Sequence, residues 1–264
     1  MSREERVSSN KRAGRIIGAL LLVQAILAVP VFTEIGMMRA VMSPQFLAGA
    51  AASAIQIRIA LLLLMVLGGI TLAVAIEGLP IFRRHGERMA LVFLALSVIG
   101  MAGEAAESHV VRSMLSMSIQ YNKPGAQQDV LEALSKIARS AWASTHFTNL
   151  LMGHLKVFVL FLILFRSALV PRGLAAIGIT ATILSNVEAI RGLLGYRFLY
   201  PLIAPAGLCV IALAVWLLVK GFRESEQSLQ PLSLAREPYE NERSELCAAG
   251  RVSSSGDHGC RNLR

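Results

Sequence analysis

Apolar runs long enough to cross a bilayer, separated by connections that are mostly short and basic, constrain this chain more than any motif in it. Ile16–Phe32, Ile55–Leu79, Met89–Met114, Ala143–Phe165, Gly173–Leu194 and Leu202–Lys220 are such runs. Each is near the roughly 20 residues that a helix needs to span hydrocarbon. An unpaired peptide group is costly in lipid, so spanning segments with this pattern are helices. The expectation is an all-α, polytopic membrane protein with six transmembrane helices in one bundle. Composition agrees: 55% of the 264 residues are hydrophobic and 16% charged, against about 45–50% and about 25% in soluble domains.

The connections set the expected topology. Residues 1–15 form a basic N-terminal arm carrying Arg3, Arg6, Lys11, Arg12 and Arg15. A signal peptide would have a shorter apolar core and a small-residue cleavage site, so an uncleaved first span is preferred. The turn Pro80–Arg88 brings Arg83, Arg84 and Arg88, and the turn Arg166–Arg172 brings two more arginines. With six spans these positives fall on one side, and the positive-inside rule makes that side the cytoplasm, with both termini there. The formal net charge of +9 is accounted for in this way. Basic stripes interleaved with aromatic residues are absent, so nucleic acid is not read as a partner. The lipid bilayer is.

Between the third and fourth spans, Asn122-Lys123-Pro124-Gly125 signals a turn. Val130, Leu131, Leu134, Ile137 and Ala138 then recur at helical spacing, predicting a short amphipathic helix on the bundle or at the interface. Residues 16–223 are read as the transmembrane domain, and the polar residues 224–264 as a disordered cytoplasmic tail. Cys209, Cys247 and Cys260 match no zinc spacing and make no disulfide framework.

The basic start Lys11-Arg-Ala-Gly-Arg, the stretch Ser167–Ile179 and the last span Leu202–Gly221 resemble the bacterial membrane family catalogued as domain of unknown function 4386. The resemblance covers roughly residues 11–221. It implies a six-helix integral protein of the bacterial cytoplasmic (inner) membrane, and it implies no activity and no functional residue.

The chemistry-bearing residues collect at one depth. Gly100–Arg112 continues the third span yet carries Glu104, Glu107, His109 and Arg112. Glu104 is about 24 Å along the helix from Arg88 at 1.5 Å per residue. On the same topology His146 and Asn149 lie in the outer half, with His154 and Lys156 near the midplane. Glu188 and Arg191 of the fifth span, Glu34 and Arg58 complete the level. Ionisable groups at membrane depth are costly, and they mark cavities, relays or ion-pair networks. A balanced network that only fixes helix register is the plainest reading. No HExxH or ExxH spacing is present, so no metal or other cofactor is assigned.

Three functions remain open. The first is a non-enzymatic protein that binds or conducts a small polar solute or protons. The second is an intramembrane hydrolase or lipid-modifying enzyme with a Glu/His site. The third is a structural or interaction subunit.

Overall fold

The computed structural model describes the backbone of residues 3–32 and 36–223, and the side chains of residues 9–31, 36–199 and 201–223. These fall in one compact unit, Met1–Arg223. Glu34 and the tail 224–264 lie outside the described residues.

The described chain is all helical. Helix α1 is Arg3–Phe32, followed by two single turns, α2 (Arg39–Met42) and α3 (Phe46–Gly49). A 3-10 turn leads into α4, Ala54–Tyr121. Then come α5 (Gln128–Ser167), α6 (Arg172–Leu193) and α7 (Ala204–Lys220). Residues 3–15, read above as an arm, are thus the first turns of α1. Among the described residues, four segments are long and apolar enough to cross a membrane: Ser9–Val31, Phe46–Tyr121, Gln128–Ser167 and Arg172–Leu193. Helix α7 is apolar but shorter. Large apolar side chains face outward on these helices, among them Ile26, Leu62, Ile177 and Leu208. An apolar exterior of this kind needs lipid as its solvent.

Helix α4 counts 68 residues, about 100 Å if it were straight. It is not straight. Gly86 has non-helical backbone (φ 161, ψ 93), and the arms 54–85 and 87–121 fold back on each other there. The rings of Phe82 and Phe93 meet edge to face at 5.8 Å. Eighteen residues either side of Gly86, Gly68 packs against Glu104.

The predicted amphipathic helix is not separate. Gln128–Ser167 is one helix of 40 residues, because no proline or glycine interrupts the backbone ladder between Gln128 and Met152. Its early apolar residues Val130, Leu134 and Ile137 are exposed. This part of α5 is tied to neighbouring segments by polar contacts. The Tyr121 hydroxyl donates to Glu132 Oε1 (3.0 Å), and Arg139 Nη1 donates to the Ser43 carbonyl (2.7 Å). The Ser118 hydroxyl donates to the Leu47 carbonyl and accepts from the Ala51 amide, which seats α3 and the 3-10 turn on α4.

Two hydrophobic clusters result. One, at the Gly86 end, includes Ile17, Phe82, Phe93, Phe161, Leu213 and Phe222. The other, at the opposite end, includes Val31, Phe46, Ile57, Met114, Leu115 and Trp142. The first and last helices meet within the first cluster. A Cβ on Gly14 would stand 2.6 Å from the Phe222 amide nitrogen, and one on Gly18 would stand 2.8 Å from the Ala214 carbonyl oxygen. Gly14 and Gly18 form a G-x-x-x-G pair, which lets two helix backbones approach closely in lipid.

Replacing Gly18 with Val forces a branched side chain into the α7 backbone. The expected loss is about 1–3 kcal/mol, the usual range for overpacking, read as a lower melting temperature in detergent. An unchanged melting temperature would mean that α1 and α7 do not meet there.

Candidate functional site

Between the two apolar clusters, α1, the second arm of α4 and α5 contribute polar side chains to one cavity, and the first arm of α4 adds Leu64 and Leu67 to its wall. Glu104 and Glu107 are three residues apart, so they share a face of the second α4 arm. His146 and Asn149 on α5 have the same relation and face them. Glu107 is 3% exposed, and both of its oxygens are engaged. His146 Nδ1 lies 2.8 Å from Oε1, and Asn149 Nδ2 donates to Oε2 at 2.9 Å. The imidazole is clamped in turn. Trp142, one helical turn earlier, stacks on it at 5.0 Å between centroids, and Phe147 meets its edge at 5.6 Å.

Glu104 is held differently. Its Oε2 is buried without a hydrogen-bond partner, and space for it exists only because residue 68 is glycine, where a Cβ would collide with that oxygen. Residue 103 must be small for a similar reason, since a Cβ there would run into the Asn149 amide. On the α5 side, Lys156 Nζ lies 3.4 Å from Thr71 Oγ1, which also accepts from Gln24 Nε2 at 2.9 Å. Glu104 and Lys156 line the same cavity without a direct ion pair. Its volume is about 240 Å³, with Gly153 and His154 also in the wall. One water needs only about 10–15 Å³, so the cavity has room for a small solute or several waters. His154 Nδ1 is a second buried atom without a partner.

The residues singled out from sequence divide into three groups. Glu104, Glu107, His146 and Asn149 come together around the cavity. Glu188 and Arg191 form their own pair instead. Arg191 Nη1 donates to Glu188 Oε2 at 2.9 Å, and the Leu199 amide donates to Oε1 at 2.6 Å. Glu188, 1% exposed, therefore anchors the connection between α6 and α7. Arg58, His109 and Arg112 are exposed on the outside of α4, and Glu34 is outside the described residues. His109 leaves the site for an angular reason. Two positions beyond Glu107 is about 200° around the helix, so its imidazole points away from the face that carries both carboxylates.

Gln24 of the cavity wall, and Thr71, which contacts Gln24 and Lys156 beside it, were not identified from sequence. Each is a lone uncharged polar residue inside an apolar run, a signal far weaker than a carboxylate at the same depth. Among the described residues, no group of three or more His, Cys, Asp or Glu could hold a metal ion.

Residues 16–221 match the model of the family described as "Domain of unknown function (DUF4386)". The chain belongs to this family. Every described cavity residue of this DUF4386 member lies inside the matched region, from Gln24 to Val157. No curated protein and no solved structure matches the chain.

Because Glu107 relies on His146, removing one partner should cost far more than removing both. His146→Leu leaves a buried carboxylate short of a donor, with an expected loss of about 3–5 kcal/mol. The double variant Glu107→Leu/His146→Leu should recover most of that. Unfolding of the four proteins of this cycle in detergent measures the coupling. Additive losses would mean that the two side chains do not interact.

Proposed function

We propose that this membrane protein binds a small polar solute or protons in its buried cavity and conducts them, without covalent chemistry. Counting the two arms of α4 separately, it makes six crossings of a bacterial inner membrane with both termini in the cytoplasm. The basic turns at Pro80–Arg88 and Arg166–Arg172 support that orientation. The observation that carries the functional reading is the unpartnered Glu104 carboxylate facing the same cavity as Lys156. A network kept only for register would close that pair, because an unmatched polar atom costs stability in a low-dielectric interior. Here the pair is open, and the hydrogen-bonded Glu107–His146–Asn149 group stands beside it. Carboxylates and imidazoles in such a row are the material of intramembrane proton relays.

Proteoliposomes loaded with a pH-sensitive dye test this. Wild-type protein should dissipate an imposed pH gradient well above empty vesicles, and Glu104→Gln should lower the rate at least tenfold. Arg112→Gln, on the outer surface, should leave it unchanged. Wild-type rates equal to those of empty vesicles, or insensitivity to Glu104→Gln, would reject proton conduction.

A second reading is favoured by the Glu107–His146 contact. A carboxylate that fixes one imidazole nitrogen leaves the other able to take a proton from water, the arrangement of an oriented general base. The cavity wall offers no serine, threonine or cysteine, so the nucleophile would be water itself. Release of fatty acid from lipid esters in the same vesicles, abolished by His146→Gln, is the result that would favour hydrolysis over conduction.

A further inference from the structure

Next to the polar cavity is a larger crevice of about 460 Å³ between α1, α4, α5 and α7. That volume is within the range of about 300–1,000 Å³ typical of small-molecule sites. Leu21 and Ala25 of α1, Val74 and Phe93 of α4, Leu160 of α5 and Val210 of α7 make its walls apolar. It exists because α1 and α7 touch at Gly14 and Gly18 and separate beyond them, towards Gln24–Ala28 on one helix and Ile203–Ile211 on the other. Ile211 on its rim is 40% exposed on the outer face of the bundle, so the crevice opens sideways to lipid rather than to water. Gln24, Ala28, His154, Lys156 and Val157 line both spaces, which makes the crevice an apolar approach to the polar cavity.

The groups at the junction are not electrically neutral. Among the described residues no carboxylate lines the crevice; Glu104 and Glu107 line only the polar cavity beyond. The polar residues that face the crevice are Lys156, Thr71, Gln24 and His154. Thr71 Oγ1 already accepts from Gln24 and lies against Lys156, so its own hydrogen is left to donate. His154 Nδ1 has no partner. One cation with a hydroxyl donor at the end of a single apolar crevice suits a singly charged anion on one chain.

We infer that a long-chain carboxylate, the anion of a fatty acid, enters from the bilayer between α1 and α7 and binds with its chain in the crevice and its head on Lys156 and Thr71. This deepens the proposed function and rests on the polar cavity being a ligand site. It names the class of solute and the side from which it arrives. A fully aqueous route is unnecessary for such a ligand: its chain passes from lipid tails to an apolar groove with little hydrophobic gain, so the contacts of its head with Lys156 and Thr71 decide binding. The anion then displaces the long-range attraction between Lys156 and Glu104.

Equilibrium binding of radiolabelled oleate to the purified full-length protein in detergent tests the inference. Saturable binding of about one oleate per chain is expected. Lys156→Met should weaken it at least tenfold, while Lys156→Arg keeps it within threefold. Gly207 lines the crevice with open space where its side chain would be, so Gly207→Leu should fill the groove and also cost at least tenfold. Ala25→Phe is a second blocking variant in case the first does not fold. Oleyl alcohol, with the same chain and no charge, should bind at least tenfold more weakly than oleate.

Absence of saturable binding to monodisperse protein would overturn the assignment. So would indifference to Lys156→Met and to both blocking variants, or equal affinity for oleyl alcohol. Tighter binding of a lysophosphatidate would also overturn it, by giving the site to phosphate-headed lipids. Failure here is distinguishable from failure of the conduction reading. If oleate does not bind while Glu104-dependent proton flux persists, only this inference falls. If oleate binds as described and no flux is seen, conduction falls and the lipid site stands.

Discussion

A carboxylate closed between apolar helices must be given hydrogen-bond donors before the helices can pack, and Glu107 sets that condition for this fold. Its two oxygens are satisfied from α5 alone, by His146 and Asn149, so the second arm of α4 can adopt only one register against α5. Trp142 stacks on the imidazole from the side of one apolar cluster, which couples the polar clamp to the packing above it. Glu104, one turn away on the same face, then has its position fixed without donors of its own. The cavity is what remains when one carboxylate is fully satisfied and its neighbour is not.

The same logic separates the two buried acids that look alike in sequence. Glu188 is as buried as Glu107, yet Arg191 and the Leu199 amide saturate it locally. It spends its charge holding a connection between helices. Charge alone did not distinguish these roles; the source of the donors does, a neighbouring helix for Glu107 and its own helix with the following connection for Glu188.

Much of the fold was legible because lipid imposes long apolar runs and the turns between them are basic. The reversal at Gly86 was visible as the basic turn Pro80–Arg88, although the non-helical backbone is confined to Gly86. The continuous α5 was less legible. Its first turns carry charge at helical spacing, and only the lack of a helix breaker shows that they extend a span rather than form a separate helix. For the site, the reading by depth grouped Glu104, Glu107, His146 and Asn149, which line one cavity, but depth carries no information on azimuth. Arg58, His109 and Arg112 were read at the same level and are exposed. Gln24 and Thr71 were lost for the opposite reason, since uncharged polar residues in an apolar run raise no electrostatic alarm. The glycines that make room, Gly18 and Gly68, are informative only once the opposing helix is known.

The pairing of the first helix with the last has a consequence for how the protein is made. Gly18 touches Ala214, and 196 residues separate them (214 − 18). At about 5–20 residues per second, α7 follows α1 out of the ribosome by roughly 10–40 s. For that interval Gln24 and the glycine face of α1 have no α7 to cover them, and they rest against lipid or the insertion machinery. The crevice acquires its fourth wall only when the final helix arrives. The site is therefore complete only after α7 has been made, and a chain that stops short of α7 inserts its carboxylates without ever enclosing the space beside them.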